Sequence, residues 1–243
     1  MTRKVFLEVK IGDIASYEDA LKRYNSAKSW VRQWYSTYGF ASDDLDQLGA
    51  EEKETLNDIL SSDPTASSEK WIIDAPTPLA GGQVVIELND KECPKTSENF
   101  AQLCIGGKIG KSSKKPLHYK DTRMFRLVND FMVQGGDVTR GDGSGGDSIY
   151  NGKFNDEKLG LNKKFNATGL VAMANSGKNS NTSQFFITLS DKHAQFDKIN
   201  GKYVIFGQVI QGLDVLKAIN QVSQIKEQPQ TTITITNSGE YSK

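Results

Sequence analysis

The chain has 243 residues, enough for one large domain or a domain with an attachment, and it can bury a core of its own. Its 30 basic and 30 acidic residues cancel, so no global field points to nucleic acid or a membrane surface, and no apolar run is long enough to span a bilayer. Cys93 and Cys104 form neither a disulfide framework nor a metal cluster, and with only two histidines and no G-x-S-x-G element there is little basis for His-based nucleophilic catalysis.

The start, MTRKVFLEVKIGD, lacks the apolar stretch and cleavage site of a secretory leader, so a cytoplasmic location is the expectation. Instead KVFLEVK (4–10) alternates as a strand. From 16 to 38, Tyr17, Leu21, Tyr24, Val31, Trp34 and Tyr38 recur at helical steps, predicting an amphipathic helix with a Ser16–Asp19 capping box and a stop at Gly39. Residues 42–61 read as one broken helix or two short ones, with Leu45, Leu48, Leu56, Ile59 and Leu60 inward. SSDPTASSE (61–69) is linker-like in composition. Residues 14–76 hold 12 acidic against 6 basic residues, which reads as a solvated acidic face or as an element that meets a basic surface.

From Ala80 the texture changes. GQVVIEL, TRMFRLV, GLVAMA, SQFFITL, KYVIFGQV and TTITIT are short strand candidates, interrupted by helices at 95–104 and 212–220. The fold class is mainly β, a closed antiparallel barrel with helical plugs rather than a parallel α/β sheet. Two glycine-rich stretches are decoys. GGKIGKSS (106–113) has Ile105 where a phosphate-binding loop needs glycine, and GDGSGGDS (141–148) lacks the strand–turn–helix setting, which favours a flexible surface loop. Arg126, set among Phe125, Leu127, Val128, Phe131 and Met132, needs a reason, because an unpaired buried charge is costly.

Five segments in fixed order supply one: CPKTSENFAQLC (93–104), FRLVNDFMVQGGDVTRGDGSGGDSIY (125–150), FNDE (154–157), GLVAMANSGKNSNTSQFFIT (169–188) and YVIFGQV (203–209). From about Leu79 to Gly239 the chain resembles the cyclophilins, peptidyl-prolyl cis–trans isomerases built on an eight-stranded antiparallel β-barrel capped by two helices. The resemblance matches KVFLEVKIGD to the first strand and GGQVVIEL to the second. It therefore implies an isomerase domain of 1–13 and 77–243, with 14–76 as a helical insertion between those strands. GKIGKSSKKPLHYK (107–120) is similar to the extended loop of divergent-loop members, some of which are proposed to be redox-sensitive. Cys104 matches one cysteine of that scheme, but Ser238 stands about where its partner belongs, which argues against a disulfide switch.

The implied reaction is rotation about X-Pro bonds in peptides and proteins, assisting folding or conformational switching, with a non-catalytic proline-peptide scaffold as the alternative. The barrier, about 18–20 kcal/mol, is lost amide resonance, so no nucleophile, metal or cofactor is expected. By resemblance Arg126 is the catalytic donor and Gln134 supports it. Phe131, Met132, Phe186 and Phe196 line the proline pocket, Tyr203 replaces another common histidine and lines it as well, and Ala174 and Asn175 meet the peptide backbone. From pattern alone Phe131, Met132 and Phe186 read as plain core. Phe125 stands where the family commonly has histidine. Either alignment of the long 191–203 tract puts Gln195 or Lys198 where many members have tryptophan, so weakened cyclosporin binding is expected. For the insertion, Trp30, Trp34, Tyr35 and Tyr38 either pack against the barrel or face a partner protein, with inward packing favoured.

Overall fold

The structure is a computed structural model and describes residues 2–192 and 194–242. In the first strand, β1 (Lys4–Ile11), Val5, Leu7, Val9 and Ile11 are buried and the residues between them are not, the period-two pattern of a strand with one face on a core. The chain divides into two compact units: residues up to Gly12 together with Ala80 onward, and Asp13–Leu79.

The Asp13–Leu79 unit is helical. Its main element, α1 (Ile14–Tyr38), is capped by Asp13, whose carboxylate accepts from the Ser16 N–H at 3.1 Å and the Ser16 hydroxyl at 2.7 Å. The cap is thus Asp13 rather than the expected Ser16–Asp19 box, because an aspartate three residues ahead of Ser16 already satisfies the free N–H. Gly39 ends the helix in the left-handed region at φ 73°, as expected. A 3-10 turn at Leu45–Gln47 and α2 (Ala50–Ser62) follow. The linker reading of 61–69 fails, because α3 (Pro64–Glu69) begins there. Asp63 caps it through the Thr65 and Ala66 N–H groups, and Pro64 sits in the first turn, where it lacks no needed donor. Tyr24, Ala27 and Val31 bury against Leu45, Leu56 and Leu60, with Trp30 packed on this cluster. Trp34, Tyr35 and Tyr38 are exposed.

The other unit is built on antiparallel pairing. After β2 (Ala80–Leu88) and α4 (Pro94–Ile105) come a small hairpin, β3 (Lys108–Ile109) with β4 (Pro116–Leu117), then β5 (Thr122–Arg123), β6 (Arg126–Val128) and β7 (Met132–Gly135). The short α5 (Lys158–Leu161), β8 (Leu170–Met173), β9 (Phe185–Thr188), the short α6 (Phe196–Ile199), β10 (Ile205–Gln211) and α7 (Leu213–Asn220) follow. A last hairpin, β11 (Gln224–Ile225) with β12 (Gln228–Pro229), leads into β13 (Ile233–Glu240). One sheet runs β5-β13-β1-β2-β10-β8-β9-β7-β6. Its two edge strands, β5 and β6, are separated in the chain only by Met124 and Phe125, so the sheet must curl until its edges meet. TRMFRLV, expected as one strand, is interrupted there, because Met124 turns into the core and its N–H goes to the Ile233 carbonyl at 2.9 Å. The eight-stranded barrel is therefore drawn as nine strands, one of them cut in two.

Its interior is aromatic. Phe100 of α4 meets Tyr119, Phe185 and Phe206 at centroid separations of 5.0–5.1 Å, and the Tyr119 hydroxyl donates to the Ser183 carbonyl at 2.7 Å, satisfying its buried polar end. On the other helix, α7, Val215, Leu216 and Ile219 are buried. Among the described residues no helix is long and apolar enough to cross a membrane.

Candidate active site

The hairpin of β6 and β7 turns at Asp130 (φ 57°) and sets Arg126 opposite Gln134 and Val128 opposite Met132. On the next strand, β9, Gln134 pairs with Phe186. Side chains two apart on a strand share a face, so Arg126, Gln134, Phe186 and Gln184 come to one side of the wall. There they form a relay. Arg126 Nη1 donates to Gln134 Oε1 at 3.2 Å, Gln134 Nε2 donates to Gln184 Oε1 at 3.0 Å, and Gln184 Nε2 donates to the Gly143 and Gly145 carbonyls at 2.9 and 2.7 Å. At the other end Arg126 Nε donates to Glu227 Oε2 at 2.7 Å. The charge that looked misplaced is therefore paired and about 41% exposed, not sunk in the core.

The relay ends on the glycine-rich loop, and here the expectation of a flexible surface loop is corrected. Asp137 is 2% exposed, and its carboxylate accepts from the N–H groups of Thr139, Arg140, Gly143 and Gly145 at 2.9–3.1 Å. Burial alone raises its pKa, but these bonds outweigh burial and hold it below the usual carboxylate range. Phe125 buttresses the same loop. A Cβ on Gly143 (φ 91°) would come within 2.5 Å of the Phe125 ring, so glycine is required there.

Beside Arg126 lies an apolar floor. Phe131, Met132, Phe186 and Phe196 cluster with Phe165, Ala172 and Ile205, and Ala174 and Tyr203 pack against them. Phe131 meets Phe196 at 5.6 Å, Phe165 stacks on both Phe186 and Phe196, and Tyr203 stands edge-on to Phe186 at 5.4 Å. Gln195 and Lys198 flank Phe196 and are exposed. On the far side of Gln134 is a cavity of about 760 Å³, which Gln184, Ala174 and Asn175 also line. Lys115, Arg140 and Lys153 contribute three cations to it, and no acidic side chain among the described residues does. Asn175 is held by bonds from its amide to Asn181 Oδ1 and the Lys202 carbonyl, both at 3.3 Å. All nine expected site residues thus lie along one face, divided between a floor and a polar wall.

Three participants escaped the sequence. Gln184 was within reach, because it lies two positions before Phe186 and strand alternation puts it on the same face. Phe165 sits in the loop KKFNATG and Glu227 in a hairpin turn, where no periodicity marks them. The cysteines stay apart from this chemistry. Both are free and buried, and burial pushes the Cys93 thiol up to about 12 and Cys104 upward too. The Ser238 hydroxyl donates to the Cys104 carbonyl at 2.8 Å. Residues 74–240 match the family model of the cyclophilin type peptidyl-prolyl cis-trans isomerase/CLD.

Proposed function

The chain belongs to the cyclophilin-type peptidyl-prolyl isomerase family, and from that premise we propose that it catalyses rotation about X-Pro bonds in peptides and proteins, with Arg126 as the donor. The observation that carries this reading is a guanidinium fixed by Gln134 and Glu227 at the edge of an aromatic floor. A proline ring fits the floor of Phe131, Met132, Phe186 and Phe196, with Tyr203 at its rim. The flanking backbone runs past Ala174 and Asn175. As the C–N bond twists, the proline nitrogen becomes pyramidal and regains its lone pair, and an N–H of Arg126 donates to it. That bond exists only in the twisted state, so it lowers the barrier instead of merely tightening binding. Arginine suits the task because it stays charged and presents a rigid fork of donors.

Residues 1–13 and 77–243 make the isomerase domain in this reading, and 14–76 a helical insertion. Exposed Gln195 and Lys198 supply no aromatic wall beside Phe196, which supports weakened binding of cyclosporin. Proline-containing peptides and proteins are the substrates, and assistance to protein folding is the corresponding role. The test is a proline-peptide isomerisation assay on the wild type and Arg126→Ala. Loss of one preorganised donor is expected to lower kcat/KM by about 100-fold. A wild type that binds proline peptides without turning them over would mark a scaffold instead.

A further inference from the structure

We infer that Glu227 is a positioning residue for Arg126, fixing the plane of the guanidinium so that one N–H-bearing nitrogen is left for the substrate. The inference rests on the reading of Arg126 as the donor. Glu227 occupies an awkward backbone site. The two-residue loop between β11 and β12 is Lys226–Glu227, with φ 49° and 65°. Such loops favour Asn-Gly, because both central residues must adopt positive φ. A glutamate there gains nothing for the turn itself. What it supplies is its side chain: Oε2 takes the Arg126 Nε–H at 2.7 Å.

The backbone of Glu227 is anchored on both sides. Its N–H donates to Gln224 Oε1 at 2.7 Å, and its carbonyl accepts from the Leu127 N–H at 2.8 Å. The hairpin tip is therefore fastened to β6 at the residue next to Arg126. With Nε on Glu227 and Nη1 on Gln134, two of the three guanidinium nitrogens are used. Nη2 has no hydrogen-bond partner among the described residues. Because the group is planar, two anchors fix where the third nitrogen points. A damping effect of the carboxylate on the arginine charge is the competing account. Both side chains are near half exposed, so water screens that effect, while the geometric constraint is unscreened.

The experiment measures kcat and KM separately by NMR exchange on a proline-containing peptide, for the wild type, Arg126→Ala, Glu227→Gln and Glu227→Gly. Glycine suits the left-handed turn, so Glu227→Gly is expected to melt within about 2 °C of the wild type. Its kcat is expected to fall about tenfold from misplacement of the donor, with KM within about twofold because the floor is untouched. Glu227→Gln still offers an oxygen to Nε and is expected to keep kcat within about threefold. A wild-type kcat in Glu227→Gly, alongside a slow Arg126→Ala, overturns this inference alone. A Glu227→Gln loss equal to that of Glu227→Gly overturns it in favour of a charge effect. Equal rates for the wild type and Arg126→Ala instead overturn the reading beneath it.

Discussion

Phe185 and Phe186 are neighbours on β9 and serve opposite faces of the same wall. Phe185 points inward, 0% exposed, onto Phe100 and Tyr119, while Phe186 points outward, 5% exposed, among Phe165 and Tyr203. Burial barely separates them. What separates them is company: the inward ring meets only core, and the outward ring borders a polar relay that ends at Arg126. An apolar cluster becomes a candidate site when a fixed donor stands at its edge, not when it is more or less buried.

Exchanging each ring for alanine tests this comparison most directly. Phe185→Ala leaves a closed cavity and is expected to cost about 3–5 kcal/mol of stability, lowering the melting temperature by about 10 °C, with kcat and KM of the folded fraction unchanged. Phe186→Ala empties a site in the outward cluster, where partly buried Val128, Ala174 and Tyr203 can settle into the space, so its stability cost is expected to be about half as large. Its KM for a proline peptide is expected to rise about tenfold. Calorimetry and steady-state kinetics on the pair decide the matter. Equal stability losses with an unchanged KM in Phe186→Ala would make the outward cluster simply a second core.

That difference also explains what could be read from the residues. The alternation of β1 and the helical steps of α1 are local, and both elements stand where the pattern puts them. Asp–Pro at 63–64 misled because composition alone does not distinguish a turn from a capped helix start. TRMFRLV misled because its break at Met124–Phe125 answers to closure of the sheet, a long-range demand. The floor residues looked like core and are as buried as core, so only the resemblance marked them. Glu227 reaches Arg126 from 101 positions away through a turn, and no local pattern carries that information.

The loop that backs the relay offers the next test. Asp137 is held below the ordinary carboxylate range by four N–H groups, which outweigh its burial. A depressed folded pKa contributes stability above the unfolded value, near 3.9, that is lost as pH falls through the folded one. Wild-type melting temperature is therefore expected to drop below about pH 4, and Asp137→Asn to drop less steeply while being less stable at pH 7. Because Gln184 holds Gly143 and Gly145 of this loop, kcat should fall in the same variant. An unchanged kcat would detach the loop from the relay.

A smaller effect comes from the cavity beyond Gln134. Lys115, Arg140 and Lys153 line it with no acidic side chain beside them among the described residues, so a peptide with a glutamate near its proline should be isomerised better than its glutamine analogue. The gain is expected to be about threefold in kcat/KM, because exposed pairs contribute under about 1 kcal/mol, and to vanish by about 1 M salt. A preference indifferent to salt would assign it to shape.

The smallest expected effect concerns residues 13–79. Ile11 pairs directly with Ala80 across β1 and β2, so the two strand ends already lie where a tight hairpin would put them. Replacing Asp13–Leu79 by a turn of about four residues thus leaves the register with no reason to slip. The helical unit holds its own buried cluster, from Tyr24 to Ala66, and all nine candidate site residues lie outside it. Activity on a short proline peptide is therefore expected to stay within about twofold of the intact chain. A larger rise would mean that the acidic segment inhibits the groove, and a large fall that it completes it. With activity unchanged, the exposed Trp34, Tyr35 and Tyr38 remain the face to test against protein partners, since loss of that face would then alter recognition without altering the chemistry.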